Sequence, residues 1–280
     1  ALLAGVWVAG RVAVAGGFGA GPWVVLAVDQ LFLLLVGAVI AREIVAGRNW
    51  RNLKVLIPVS LFWCANVAFH VEALRTGSAY GAYRPGIAIL VFLIMLIGGR
   101  IIPSFTRNWL AQRRCEPMPR PFDRFDAFAM LAGACALLAW VAGVPGPFAA
   151  LLFVAVAGLH AARLARWRGG ATWRSPLLAM LHLSYAFIPA GFAVAALSSV
   201  GIVSDGAVAH LFAVGAVGTM TLAVMVRATL GHTGRPLEAG PVVTGAFAAL
   251  LAAALARFAT ELFPGLHVAF GLGAGGLWCA

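Results

Sequence analysis

Charge is scarce in this chain: 10% of its 280 residues are charged and only nine are acidic. With 62% hydrophobic residues and a mean hydropathy of +0.97, that scarcity excludes an ordinary soluble globular domain. The four cysteines, Cys64, Cys115, Cys135 and Cys279, form no C-x-x-C or other close pair. A thiolate zinc site or an iron–sulfur cluster is therefore not encoded, and the cysteines read as small buried hydrophobes. A P-loop, a G-x-G-x-x-G after a strand, an H-E-x-x-H and a nucleophile-elbow serine are all missing, which removes the usual sequence support for nucleotide-driven transport and for hydrolysis.

What the chain has instead is apolar length. Runs of about 18 to 20 residues match the hydrocarbon thickness of a bilayer, and ten can be marked, at 2–18, 22–41, 55–73, 85–102, 125–143, 147–162, 176–199, 207–226, 241–258 and 265–280. These Leu/Ala/Val runs show no two-residue alternation, and lipid forces each backbone polar group to be satisfied within its own segment, so all ten are expected to be helices. The expected fold is all-α, a polytopic transmembrane helical bundle of about ten spans forming one integral-membrane domain over 1–280. The chain opens on Ala1 and stops inside an apolar run, so it reads as a piece of a longer protein. Arg11 interrupts the first run and no small-residue cleavage pattern follows, which argues against a signal peptide.

The formal net charge is +11, yet the basic residues make no single patch. Fifteen of the twenty fall in alternate loops: Arg42, Arg48, Arg51 and Lys54; Arg107, Arg113, Arg114, Arg120 and Arg124; Arg163, Arg166, Arg168 and Arg174; Arg227 and Arg235. By the positive-inside rule these loops are expected to be cytoplasmic, with the lipid bilayer as partner and no role for nucleic acid.

Five of the six histidines, His70, His160, His182, His210 and His267, lie inside apolar stretches, where an ionisable group tends to face a bundle interior, a polar cavity or a metal. The topology places His70, His210 and His267 toward one face and His160 and His182 toward the other. Two imidazoles at one depth can grip a haem iron, and two or three can hold copper. His70 with His210 is the preferred pair. His267, after Phe263-Pro264-Gly265-Leu266 at a helix entrance, is the weakest candidate of its group. For any one of them a hydrogen bond to a neighbouring helix explains the residue equally well. Arg75, just beyond His70, can pair with a haem propionate or snorkel at the interface. Arg100, after Gly98-Gly99 and before Pro103, can bind an anionic group or close a helix end. His232 sits in a turn between Gly231 and Gly234, as a candidate metal ligand or a solvated loop residue.

The stretch from His210 through Val214-Gly215-Ala216, Met220-Thr221, Val224-Met225 and Arg227-Ala228-Thr229-Leu230-Gly231-His232-Thr233-Gly234-Arg235-Pro236 resembles the NnrS family. So do Gly98 through Asn108, Asn66 through His70, and Leu181-His182-Leu183-Ser184-Tyr185, and together the resemblance covers most of the chain from about residue 22 onward. It implies a polytopic bacterial inner-membrane protein associated with haem, with copper, and with the response to nitric oxide and nitrosative stress. It also implies that His70, His182 and His210 are the family's intramembrane histidines, and that Arg100, Arg227, Gly231, His232, Gly234 and Arg235 belong to its inner-side motifs. Haem b is then the expected cofactor and copper the second, with nitric oxide or a related small molecule as ligand. Family members carry an H-E-M-containing span that has no counterpart here.

Tyr185, one turn from His182, can relay a proton, bond a metal-bound diatomic ligand, or simply bridge two helices. With no flavin or nicotinamide motif in the chain, any turnover needs electrons from a partner or quinol. Two other readings stay open. One is a transporter or channel with Pro103 and Pro189 in broken helices and a histidine-lined path, and the other is a structural membrane subunit.

Overall fold

A computed structural model describes residues 2–16, 19–263 and 265. Eleven α-helices follow in order: α1 (Leu2–Val14), α2 (Pro22–Ala46), α3 (Leu56–Thr76), α4 (Tyr83–Leu93), α5 (Gly99–Gln112), α6 (Arg124–Val141), α7 (Pro147–Ala165), α8 (Pro176–Ser199), α9 (Asp205–His210), α10 (Thr219–His232) and α11 (Pro241–Leu262). A π-helical turn, Ile94–Gly98, joins α4 to α5, and a longer one, Leu211–Gly218, joins α9 to α10. No strand occurs among the described residues.

Eight helical stretches among the described residues are long and apolar enough to cross a membrane. They correspond to eight of the ten expected runs, so the chain is an all-α, multi-pass helical bundle. The first expected run is the 13-residue α1, shorter than a span. The tenth, 265–280, lies with His267 outside the described residues apart from Gly265.

The helix starts follow from local chemistry. Proline opens α2, α7, α8 and α11, where its missing N–H costs nothing and its fixed φ suits the first turn. At α6 the Asp123 carboxylate accepts from the Phe125 and Asp126 backbone N–H groups, while Asp126 accepts from the Asp123 N–H at 3.2 Å, a reciprocal capping box. The fourth expected run stops at 102, but the helix continues through Pro103 to Gln112. A proline inside a membrane helix is tolerated where local π turns and neighbours satisfy the freed carbonyls, and here a π turn ends at Gly98, one helical turn before Pro103.

The chain divides into two compact units, residues 1–89 and 90–280. In the first, α1 packs on α2 and α2 on α3. In the second, α8 is the central element, touching α5, α7, α9, α10 and both π turns. More than half of its residues are buried, as expected of a helix that is apolar all round. Glycine lets these helices close up: a methyl at Gly191 would strike the Phe212 ring, and one at Gly215 the Phe187 ring.

Within the second unit one end gathers the C-termini of α5, α7 and α10 and the N-termini of α6, α8 and α11. The backbone N–H of Arg120 donates to the Arg166 carbonyl there at 3.1 Å. The opposite end joins α7 to α8 through Gly146 N–H to the Ser199 carbonyl, at 2.7 Å. The first end carries most of the arginines and is called the basic end below.

Candidate functional site

The interior of the second unit is polar at one level. On α7, His160 and Arg163 are three residues apart and so share a face, and both are fully buried. Arg163 Nε donates to Asp126 Oδ1 on α6 at 2.9 Å. Its Nη1 donates to the Met95 carbonyl at 3.0 Å and to the Tyr185 hydroxyl oxygen at 2.9 Å. Met95 lies in the π turn, whose wide winding presents that carbonyl to the guanidinium. Burying an arginine is costly unless a counter-ion and further acceptors replace water, and Asp126, Met95 and Tyr185 supply them.

His160 completes the chain of bonds. Its Nε2 is 3.1 Å from the Ala129 carbonyl and its Nδ1 is 2.9 Å from the Tyr185 hydroxyl. A carbonyl only accepts, so Nε2 carries the proton; in the neutral ring Nδ1 then accepts, and the Tyr185 O–H donates to it. The sequence Asp126, Arg163, Tyr185, His160 is therefore a directed hydrogen-bond network across α6, α7 and α8. Two glycines make room for it: a methyl at Gly99 would collide with the Arg163 guanidinium, and one at Gly133 with Met95 and His160 Nε2.

At the basic end, Arg166 extends the network outward, binding the Asp123 carboxylate and lying 3.4 Å from Asp126 Oδ2. The hydrogen bond from Arg166 is the main cause that holds the Asp123 carboxyl down at about 2, against an ordinary value of 3.8.

Of the residues expected from sequence, Tyr185 is the one this network absorbs. It bonds His160 and Arg163 rather than serving His182, one turn away. His182 Nε2 meets the Thr106 hydroxyl at 2.9 Å, while its Nδ1 is buried with no hydrogen-bond partner. Gly169 packs against that nitrogen so closely that a methyl there would strike the ring.

His210 lies near the opposite end, with Nε2 3.3 Å from Glu261 Oε1. Glu261 also accepts from the Ser204 hydroxyl at 2.5 Å, and Gly206 leaves space for its carboxylate. At 1.5 Å per residue His182 and His210 are roughly 20 Å apart along the bundle.

In the first unit, Asp29 on α2 is buried and accepts from Arg11, from Asn66 Nδ2 at 3.0 Å and from His70 Nε2 at 3.0 Å. Gly10 brings α1 against the same carboxylate. The preferred pair, His70 and His210, thus falls in different units, and neither unit by itself brings the two together. Arg75 is exposed in the last turn of α3, and Arg100 is exposed at the start of α5.

Arg227 is half-buried with its guanidinium carbon 3.9 Å from the Phe105 ring centroid. Gly231 and His232 are helical, because α10 runs to His232. The turn follows at Gly234, whose φ of +67° demands glycine, and Arg235 is exposed beyond it.

Sequence reasoning missed Asp29, Thr106, Asp126, Arg163 and Glu261. Asp29 had a signal, being a lone acid inside the run 22–41. Arg163 was expected among solvated loop residues; the structure seals it inside the bundle, because α7 continues past the run's last apolar residue to Ala165.

The NnrS protein family model matches residues 1–280. The chain belongs to the NnrS family. No curated protein and no solved structure matches it.

Whether this NnrS-family chain is built to hold a metal can be tested on its own side chains. Among the described residues no three His, Cys, Asp or Glu side chains cluster as a ligand set, so a multi-histidine copper site is not assembled there. Metal-binding imidazoles commonly give their second ring nitrogen to a carboxylate, which fixes the ring and raises its basicity. His70 and His210 have that partner, in Asp29 and Glu261. His160 has both nitrogens engaged and His182 has no carboxylate. His70 and His210 are therefore the described histidines whose second ring nitrogen is held in the way a single-imidazole metal or haem ligand requires.

Proposed function

We propose that this NnrS-family protein is a multi-pass protein of the bacterial inner membrane, its basic loops cytoplasmic, that binds nitric oxide or a related small ligand and protects against nitrosative stress. The supporting observation is the pair of carboxylate-backed histidines within the apolar units, His70 with Asp29 and His210 with Glu261. Haem b bound to one of them would supply an iron position open to a diatomic ligand.

The chain's own part is then mechanical and electrostatic. Asp29 or Glu261 orients the ring and holds its second nitrogen, and the apolar helices keep bulk water away. Arg75, one residue from the end of α3, offers the forked donor geometry that suits a propionate. Copper is the lesser fit on this donor set. Any reaction beyond binding takes its electrons from a separate donor, since no flavin or nicotinamide motif is present.

The test is the visible spectrum and metal content of the purified protein, before and after nitric oxide. A Soret band that shifts on adding nitric oxide supports the proposal. Protein purified from haem-replete cells with neither haem nor copper removes it and leaves transport of a small metabolite as the leading reading.

A further inference from the structure

A second site, unconnected with the histidines, opens at the basic end of the second unit. A cleft of about 430 Å³ lies between the C-terminal part of α5, the start of α8, the second half of α10 and residues 237–239. Three guanidinium groups line it, those of Arg113, Arg174 and Arg227.

Each is set against an aromatic face: Arg227 on Phe105 at 3.9 Å, Arg113 on Trp109 at 4.0 Å and Arg174 near Trp173 at 5.2 Å, measured from the guanidinium carbon to the ring centroid. Stacking of this kind restrains the planar group while its N–H donors, which lie in the plane, remain available.

These three differ from two other arginines near the basic end of the unit. Arg163 and Arg166 are both neutralised by aspartates. Among the described residues, Arg113, Arg174 and Arg227 have no carboxylate within ion-pairing distance, and the one acidic residue lining the cleft, Glu238, bonds none of them. The cleft therefore carries an excess of positive charge, three guanidinium groups against the one carboxylate of Glu238.

Two further features suit an anion. The 24-residue α8 starts at the cleft, and the Ser175 side chain that precedes it makes no capping bond; Pro176 has no N–H and the Leu178 N–H is taken by the Ser175 carbonyl at 3.0 Å, so the Leu177 N–H is the first-turn donor left to the helix dipole's positive end. The remaining wall is mixed: the amides of Asn108 and Gln112 beside the apolar faces of Leu178 and Leu237. The volume exceeds what a bare oxyanion fills.

We propose that this cleft binds a phosphate-bearing anion, its phosphoryl oxygens taken by Arg113, Arg174 and Arg227 and its less polar part by Leu178 and Leu237. The same chemistry is presented by an anionic phospholipid headgroup reaching in from the bilayer and by a soluble phosphorylated compound.

Two probes separate the sources. Inorganic phosphate is titrated by calorimetry into the full chain in a neutral detergent. In parallel, the protein is reconstituted in discs of phosphatidylcholine with phosphatidylglycerol, and the retained lipid is identified by native mass spectrometry. Each guanidinium lost should weaken binding about tenfold, the usual effect of a charge-assisted hydrogen bond.

Phosphate binding to the wild type that falls about a hundredfold in Arg113→Gln/Arg174→Gln supports the site with a soluble ligand. Selective retention of phosphatidylglycerol, lost in the same variant, supports it with a lipid. Both substituted residues are exposed and the variant leaves Arg227 in place, so folding is spared. Arg120→Gln, outside the cleft, removes one charge and should change neither readout. Equal binding of both probes by wild type and double variant, or no binding by either, overturns the proposal.

Discussion

Arg163 and Asp126 form an ion pair at 2.9 Å with both side chains sealed from solvent, one on α7 and the other on α6. Breaking such a pair from one side leaves an uncompensated charge, and the cost is typically about 3–5 kcal/mol. Asp126→Leu should therefore lower the unfolding midpoint in detergent strongly. The double variant Asp126→Leu/Arg163→Leu should recover much of that loss, because no orphan charge remains. A double variant no more stable than Asp126→Leu alone would show that the pair is not the element that matters.

Tyr185 connects Arg163 to His160 through one hydroxyl. Tyr185→Phe keeps the ring against Trp167, whose centroid is 4.5 Å away, and removes only the oxygen. It leaves His160 Nδ1 without its donor, at a cost of about 1–3 kcal/mol. Thermal unfolding should show a smaller loss than Asp126→Leu produces, and unchanged stability would mean the hydroxyl contributes nothing.

Glycine to alanine inside a helix normally stabilises by up to about 1 kcal/mol. Gly158 on α7 has open space around it, and Gly158→Ala should follow that rule. Gly99→Ala should reverse the sign, because the new methyl meets the Arg163 guanidinium, and overpacking costs about 1–3 kcal/mol. The same assay run on the two variants side by side checks the contrast.

The spans were legible in the sequence because lipid demands long apolar helices, and eight of the expected runs return as helices. Their ends were less so. The run 147–162 is read as ending just before Arg163 and the run 85–102 just before Pro103, yet α7 carries Arg163 into the bundle and α5 passes through Pro103. A buried arginine differs from a loop arginine only by its partners, and those of Arg163 lie on three other helix segments, at Met95, Asp126 and Tyr185. The π turns depend on such tertiary partners and left no mark in the residue pattern. His70, His160, His182 and His210 lie in helices long and apolar enough to cross a membrane; the bonding of His70, His182 and His210 to Asp29, Thr106 and Glu261 needed the fold.

Acid should act on the cap of α6. The folded Asp123 carboxyl titrates at about 2 rather than 3.8, chiefly through Arg166. A depressed carboxyl stabilises the fold at pH above its unfolded value, and that contribution disappears as pH falls from about 3.8 toward 2. Asn caps a helix as well as Asp does but does not titrate. Asp123→Asn should therefore flatten the stability profile across that window, measured as unfolding midpoint against pH. An unaltered slope would remove Asp123 as its source.

The haem proposal rests on a carboxylate-backed histidine, His70 with Asp29 or His210 with Glu261. The direct measurement is the Soret absorbance per protein of the purified protein, compared among wild type, His70→Ala, His210→Ala and His182→Ala. A band is expected in the wild type that collapses in His70→Ala or His210→Ala and survives in His182→Ala. A band that survives both of the first two substitutions, or that depends on His182 alone, would contradict the proposal.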